Sequence, residues 1–112
     1  MSHRAEGLRT WLLQRVSAIY LAVFLLYVLV HFWLNPHPDY AAWRGWIASP
    51  PVSIAGAGFV LALLIHGWVG LRDVMLDYIH PLGLRLALLT LTAFLLIGCG
   101  FWAMRILIMT ST

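Results

Sequence analysis

Three long apolar runs, separated by one polar connection and one short polar corner, organise this chain. Each run exceeds the roughly 20 residues an α-helix needs to cross a bilayer, so the pattern predicts transmembrane helices at about 12–34, 52–76 and 82–109. Trp11 and Trp33 bracket the first span at about the separation of two interfacial aromatic belts, given a rise of about 1.5 Å per residue. Arginines precede that run, as in a signal peptide. The run is too long for one, however, and no small-residue cleavage site follows, so it reads as a retained span.

The connection NPHPDYAAWRGWIASPP has Pro36 and Pro38 to end the first helix, while Pro50 and Pro51 precede the second. Asp39 can cap a short helix in which Tyr40, Trp43 and Ile47 share a face, which predicts a small helix lying in the headgroup region. The next connection is much shorter and ends at Pro81. The second and third spans are therefore expected to be antiparallel neighbours. No repeat or internal boundary divides the chain, and residues 1–112 read as one membrane domain of all-α class.

Composition agrees with that class. Hydrophobic residues make up 62% of the chain and charged residues 10%, with a mean hydropathy of +0.90, far too apolar for a soluble domain of this length. The formal charge is only +3 and all seven basic residues are arginines, so a nucleic-acid surface is not indicated. The arginines report orientation instead. Arg4, Arg9, Arg15, Arg72 and Arg85 lie on one side and Arg44 and Arg105 on the other, which predicts an inside N-terminus and an outside C-terminus. The single cysteine, Cys99, cannot form an intrachain disulfide or a thiolate metal site by itself and reads as a small packing residue.

Against this background the segment LIHGWVGLRDVMLDYIHP, residues 64–81, carries the chemistry. Ionisable groups within a span are costly and generally functional. Gly58, Ala62, His66, Gly70, Asp73 and Asp77 recur at steps of three and four, on one helix face. Two readings of that face stand side by side. Small residues flanking a histidine form an ordinary helix-packing seam, with the imidazole bonded to a neighbouring helix. Equally, they clear room for a flat macrocycle whose iron takes an imidazole nitrogen.

The second reading has a consequence for assembly. His31 lies only about 5 Å from the outer end of its helix and His66 about 20 Å from the outer end of the next, so the two cannot sandwich one iron. Met104 and Met109 also lie towards the outer end of the third span. A second axial ligand would have to come from another polypeptide, and His31 reads as a packing or interfacial residue. At the inner end, Asp77 and Tyr78 are either a helix-end carboxylate with a belt tyrosine or a proton relay with a hydrogen-bond donor for a quinone carbonyl.

The order of these residues resembles the small hydrophobic membrane anchor of succinate dehydrogenase (complex II, succinate:quinone oxidoreductase). The resemblance rests on His66, Gly70 and Asp77-Tyr78 at the family's spacing, then Pro81 and Arg85, and on QRVSAIYL at the first span. It implies half of a heterodimeric haem-binding helix bundle. His66 would be an axial ligand of haem b, with the opposite ligand from the second membrane anchor, the cytochrome b subunit. Tyr78 would hydrogen-bond ubiquinone, with Asp77 beside it, and Arg15 would contact a haem propionate.

The resemblance further implies partnership with an iron–sulfur subunit and a flavoprotein subunit that oxidises succinate. This chain has neither a nucleotide-binding glycine motif nor a cysteine cluster, in keeping with such a division of labour. Arg72, Asp73 and His80 are assigned only local ion pairing or contact with the iron–sulfur subunit. No transit peptide is evident, which points to a bacterial cytoplasmic membrane, with a cytoplasmic N-terminus and periplasmic C-terminus, over a mitochondrial one. An anchor of a fumarate reductase using menaquinol and a non-catalytic membrane helper remain the alternatives.

Overall fold

A computed structural model describes residues 3–111, with side chains described from Glu6 onward. Arg4, counted above in the charge balance, has its side chain outside that range. The described chain is four helices without strands: α1 (His3–Leu34), α2 (Tyr40–Ala48), α3 (Pro50–Tyr78) and α4 (Leu82–Ser111). Three of these, α1, α3 and α4, are long and apolar enough to span a membrane. The molecule is about 50 Å long, enough to cross a bilayer together with its headgroup layers, which measure about 40–45 Å.

The helices match the predicted spans in number and order but are longer at their ends. α1 begins at His3 rather than near residue 12, because hydropathy marks where the apolar run starts, whereas a helix continues through any stretch without a strong breaker. Pro50 and Pro51 form the first turn of α3 instead of lying ahead of it. Proline suits that place, since the amides of a first turn have no intrahelical acceptor.

Between α1 and α2, His37 adopts φ 58°, the left-handed region, between two prolines. Asp39 then caps α2 as expected, its carboxylate accepting from the Ala42 amide at 2.7 Å. α3 closes with the Ile79 amide donating to the Met75 carbonyl at 3.0 Å, and Pro81 prevents the helix from running on.

α3 is the central element: α1 packs on one side of it and α4 on the other, with α2 resting on α3 and α4. Little is buried. Among the described residues Ala62, Val69, Ser17 and Gly100 are buried, while large side chains such as Leu26, Phe94 and Phe101 stand exposed. Such all-round apolar helices are stable only where lipid or other helices surround them.

Close approach therefore depends on small residues. A Cβ at Gly100 would meet the Leu64 side chain at 2.6 Å, and one at Gly58 would meet the Tyr20 hydroxyl at 2.5 Å. Each glycine admits a neighbour's side chain directly against backbone, as expected for membrane helices that pack without a hydrophobic driving force.

Candidate functional site

The small-residue face of α3 meets α1. With the end of the molecule that the arginine balance predicts to lie outside termed outer, and the other inner, Tyr20 lies against Gly58, then Ser17 reaches His66, and innermost the Gln14 side chain lies against Gly70. Tyr20 donates to the Ala55 carbonyl at 2.7 Å. On α1, Gln14, Ser17 and Tyr20 recur at steps of three, so a polar stripe faces the glycine-and-histidine stripe of α3. Ser17 and Gln14 carry no role that the sequence alone assigns. Their signal is present as the polar positions of QRVSAIYL, but helical periodicity does not say which stripe of one helix faces which of another.

His66 is half-buried at mid-helix. It precedes the last residue of α3 by 12 positions, about 18 Å. Its Nδ1 lies 3.2 Å from Ser17 Oγ, and that hydroxyl donates to the Gln14 carbonyl at 3.1 Å. A hydroxyl has one proton to give. When the Ser17 proton is directed to Gln14, Nδ1 carries the hydrogen of the contact and Nε2 keeps its lone pair; when it is directed to Nδ1, the ring hydrogen sits on Nε2. No hydrogen bond of Nε2 is found among the described residues. The imidazole is thus bonded to a neighbouring helix through one nitrogen, and in the first of these arrangements its other nitrogen is in the form that ligates a metal.

His31 is separated from this arrangement. It stands 14 residues beyond Ser17 on α1, about 21 Å along the axis, and its ring stacks on Trp46 at 4.1 Å between centroids. Tyr27 and Phe32 complete the cluster, and Trp46 Nε1 donates to the Tyr27 hydroxyl at 3.3 Å. The expectation that His31 is a packing residue is met: it ties α2 to the outer end of α1.

At the inner end of α3, Asp77 and Tyr78 occupy the final turn. Both are exposed, Tyr78 at 77%, and neither forms a hydrogen bond among the described residues. Asp77 follows His66 by 11 residues, three full turns to within about 20°, so the two share a face, and Tyr78 points about 120° further round. Arg72 pairs with its neighbour Asp73 at 3.2 Å, the local ion pairing expected of them.

Arg15 is exposed and its guanidinium lies 5.8 Å from the centroid of the Trp11 ring. It is two positions from Ser17, which turns it to the opposite side of α1 from the His66 contact. An inner cleft of about 710 Å³ lies between α1 and α3, lined in part by Glu6, Thr10, Gln14, Arg72 and Asp73. Gln14 Oε1 is buried there without a hydrogen-bond partner.

Among the described residues no three His, Cys, Asp or Glu side chains gather into a group able to hold a bare metal ion. One imidazole with a free Nε2 instead fits an iron whose four equatorial positions are filled by a porphyrin.

Comparison with known proteins agrees with this arrangement. Residues 1–100 match the family described as succinate dehydrogenase/fumarate reductase transmembrane subunit. The chain is also similar to the succinate dehydrogenase hydrophobic membrane anchor subunit of Coxiella burnetii, 32% identical over 103 residues, which cover 91% of this chain and 89% of that protein. With its three spans and this match along most of its length, the chain belongs to the succinate dehydrogenase/fumarate reductase transmembrane subunit family and is a multi-pass membrane subunit of that enzyme class.

Proposed function

We propose that this chain is the hydrophobic anchor of a succinate:ubiquinone oxidoreductase, contributing His66 as one axial ligand of haem b and Tyr78 with Asp77 to the quinone-reduction site. The observation that carries the reading is the division of α3 into two stations. At mid-depth His66 has Nδ1 engaged by α1, with no partner for Nε2 among the described residues; at the inner end Asp77 and Tyr78 are exposed, without a hydrogen bond among the described residues.

Each residue has a defined task in this reading. His66 offers Nε2 to the iron, and the depth of His31 requires the opposite ligand to come from a second anchor, the cytochrome b subunit. Haem b, when bound, supplies a one-electron carrier within the bilayer. Arg15, exposed near the middle of α1 on the side away from the Ser17–His66 contact, is assigned the charge-assisted bond to a propionate that the family resemblance implies. The Tyr78 hydroxyl would donate a hydrogen bond to a quinone carbonyl, and the exposed Asp77 carboxylate would take a proton from the adjoining water and pass it on to the reduced oxygen.

Electrons come from outside this chain, through an iron–sulfur subunit fed by a flavoprotein that oxidises succinate. The anchor as a single unit holds that assembly to a bacterial cytoplasmic membrane, N-terminus inside, so that protons for quinone reduction are drawn from the cytoplasm. The similarity to a named succinate dehydrogenase anchor favours this direction of electron flow over fumarate reduction.

The test is a separation of activities in the purified complex. Tyr78→Phe is expected to lower succinate:ubiquinone turnover at least about tenfold, the loss of roughly 1.4 kcal/mol of transition-state stabilisation, while succinate oxidation by an artificial acceptor is preserved. Equal losses in both assays, or faster turnover with menaquinone than with ubiquinone, would contradict it.

A further inference from the structure

We infer that Ser17 is a positioning residue for the proposed haem ligand: its hydroxyl fixes His66 in the Nδ1–H tautomer and strengthens Nε2 as a donor to iron. This inference rests on the reading of His66 as the haem ligand and goes beyond it, because it assigns a role to a residue on a different helix.

Ser17 is among the few buried residues of the chain, at 5% exposure, in a region where water is not at hand to bond a stray polar group. Its oxygen lies between two partners, the Gln14 carbonyl at 3.1 Å and His66 Nδ1 at 3.2 Å. A serine in a membrane helix commonly bonds back to its own helix, and in the proposed arrangement that bond takes the only hydroxyl proton. The oxygen is left as an acceptor, and the one proton available to complete the contact is that on Nδ1.

The chain Nδ1–H to Ser17 Oγ, and Ser17 O–H to the Gln14 carbonyl, is therefore directional. It excludes the tautomer that would protonate Nε2 and block ligation. Accepting the hydrogen bond from Nδ1–H also holds the ring's orientation and strengthens Nε2 as a donor, which favours the ferric state. The Gly70 position supports this geometry, since a Cβ there would stand 3.3 Å from the Gln14 side chain and would crowd the residue whose carbonyl ends the relay.

The experiment compares Ser17→Thr with Ser17→Val in the assembled, purified complex. The two replacements have nearly the same shape, so the hydroxyl is the difference between them. Haem b content after detergent dilution, its midpoint potential and its low-spin electron paramagnetic resonance are measured for each, with His66→Leu prepared alongside.

Complexes carrying Ser17→Thr are expected to retain the wild-type potential and resonance. Ser17→Val is expected to keep a low-spin haem with a raised potential and about tenfold weaker retention, the lower end of the range for losing a bond to a ligand histidine. Identical behaviour of the two variants would overturn the role of Ser17 while leaving His66 as ligand. An unaltered low-spin haem in His66→Leu would overturn the ligand reading itself, and the role of Ser17 with it.

Discussion

The two described histidines within the spans differ in what the rest of the chain does for them. His31 stands one turn from the outer end of α1, with its ring face on Trp46 and with Tyr27 and Phe32 around it. At that depth headgroups and water serve its nitrogens, so the residue behaves as an aromatic belt group that also fastens α2. His66 is deeper, its Nδ1 held by a buried serine and its Nε2 unengaged. An intramembrane imidazole satisfied on one side only is what the proposed ligand role for His66 calls for.

The contrast extends to the two ends of the molecule. The outer end is closed on itself, with Tyr20 bonded to the Ala55 carbonyl, Trp46 to Tyr27, and Ser53 to Ser111 at 2.8 Å. The inner end carries the exposed Asp77 and Tyr78 and a cleft into which no described side chain brings a partner for Gln14 Oε1. In the proposed reading, outer polar groups serve the fold, and Asp77 and Tyr78 at the inner end serve assembly and chemistry.

Substitutions that break the outer end should therefore cost stability without altering the haem spectrum or the ratio of quinone to artificial-acceptor turnover. The largest effect is expected from Trp46→Ala, which removes the stack on His31 and the bond to Tyr27. Thermal denaturation of the complex should show a loss of about 2–3 kcal/mol, below the full range for a core tryptophan because Trp46 is half-buried. A quinone-specific defect in this variant would blur the distinction between the two ends.

Gly58→Ala should follow, at about 1–3 kcal/mol, because the new methyl displaces the Tyr20 hydroxyl from its place over the helix backbone. Gly98→Ala serves as its control, since a Cβ at Gly98 meets nothing within 4 Å, and its effect should stay within about 0.5 kcal/mol.

A smaller cost is expected of Tyr20→Phe, which deletes only the bond to Ala55, for roughly 1 kcal/mol. Smallest of all is Asp73→Asn, which breaks an exposed ion pair between sequence neighbours. Such pairs contribute from about 0 to 1 kcal/mol, and raising the salt concentration in the wild type should have as little effect.

Much of this architecture is legible in the residues. Run length identifies the three spans, Asp39 marks the start of α2, and Pro81 marks the corner between α3 and α4. The steps from Gly58 to Asp77 define the working face of α3. What periodicity leaves open is the partner of that face. A helix that is apolar all round carries no moment to orient it, and lipid is as good a neighbour for leucine as another helix is. The Ser17 contact depends on α1 rather than α4 covering His66, which is a property of the packed pair. The same holds for the early start of α1 and the turn at His37, where local backbone conformation rather than hydropathy decides.

The central claim concerns the free nitrogen of His66, and a reduced-minus-oxidised absorbance spectrum of the purified complex tests it most directly, with wild type, His31→Leu and His66→Leu compared at known polypeptide composition. A haem b band is expected in the wild type, retained in His31→Leu and lost or shifted out of the low-spin form in His66→Leu. An unchanged band in His66→Leu, or a fully assembled wild-type complex with no haem b, would contradict it.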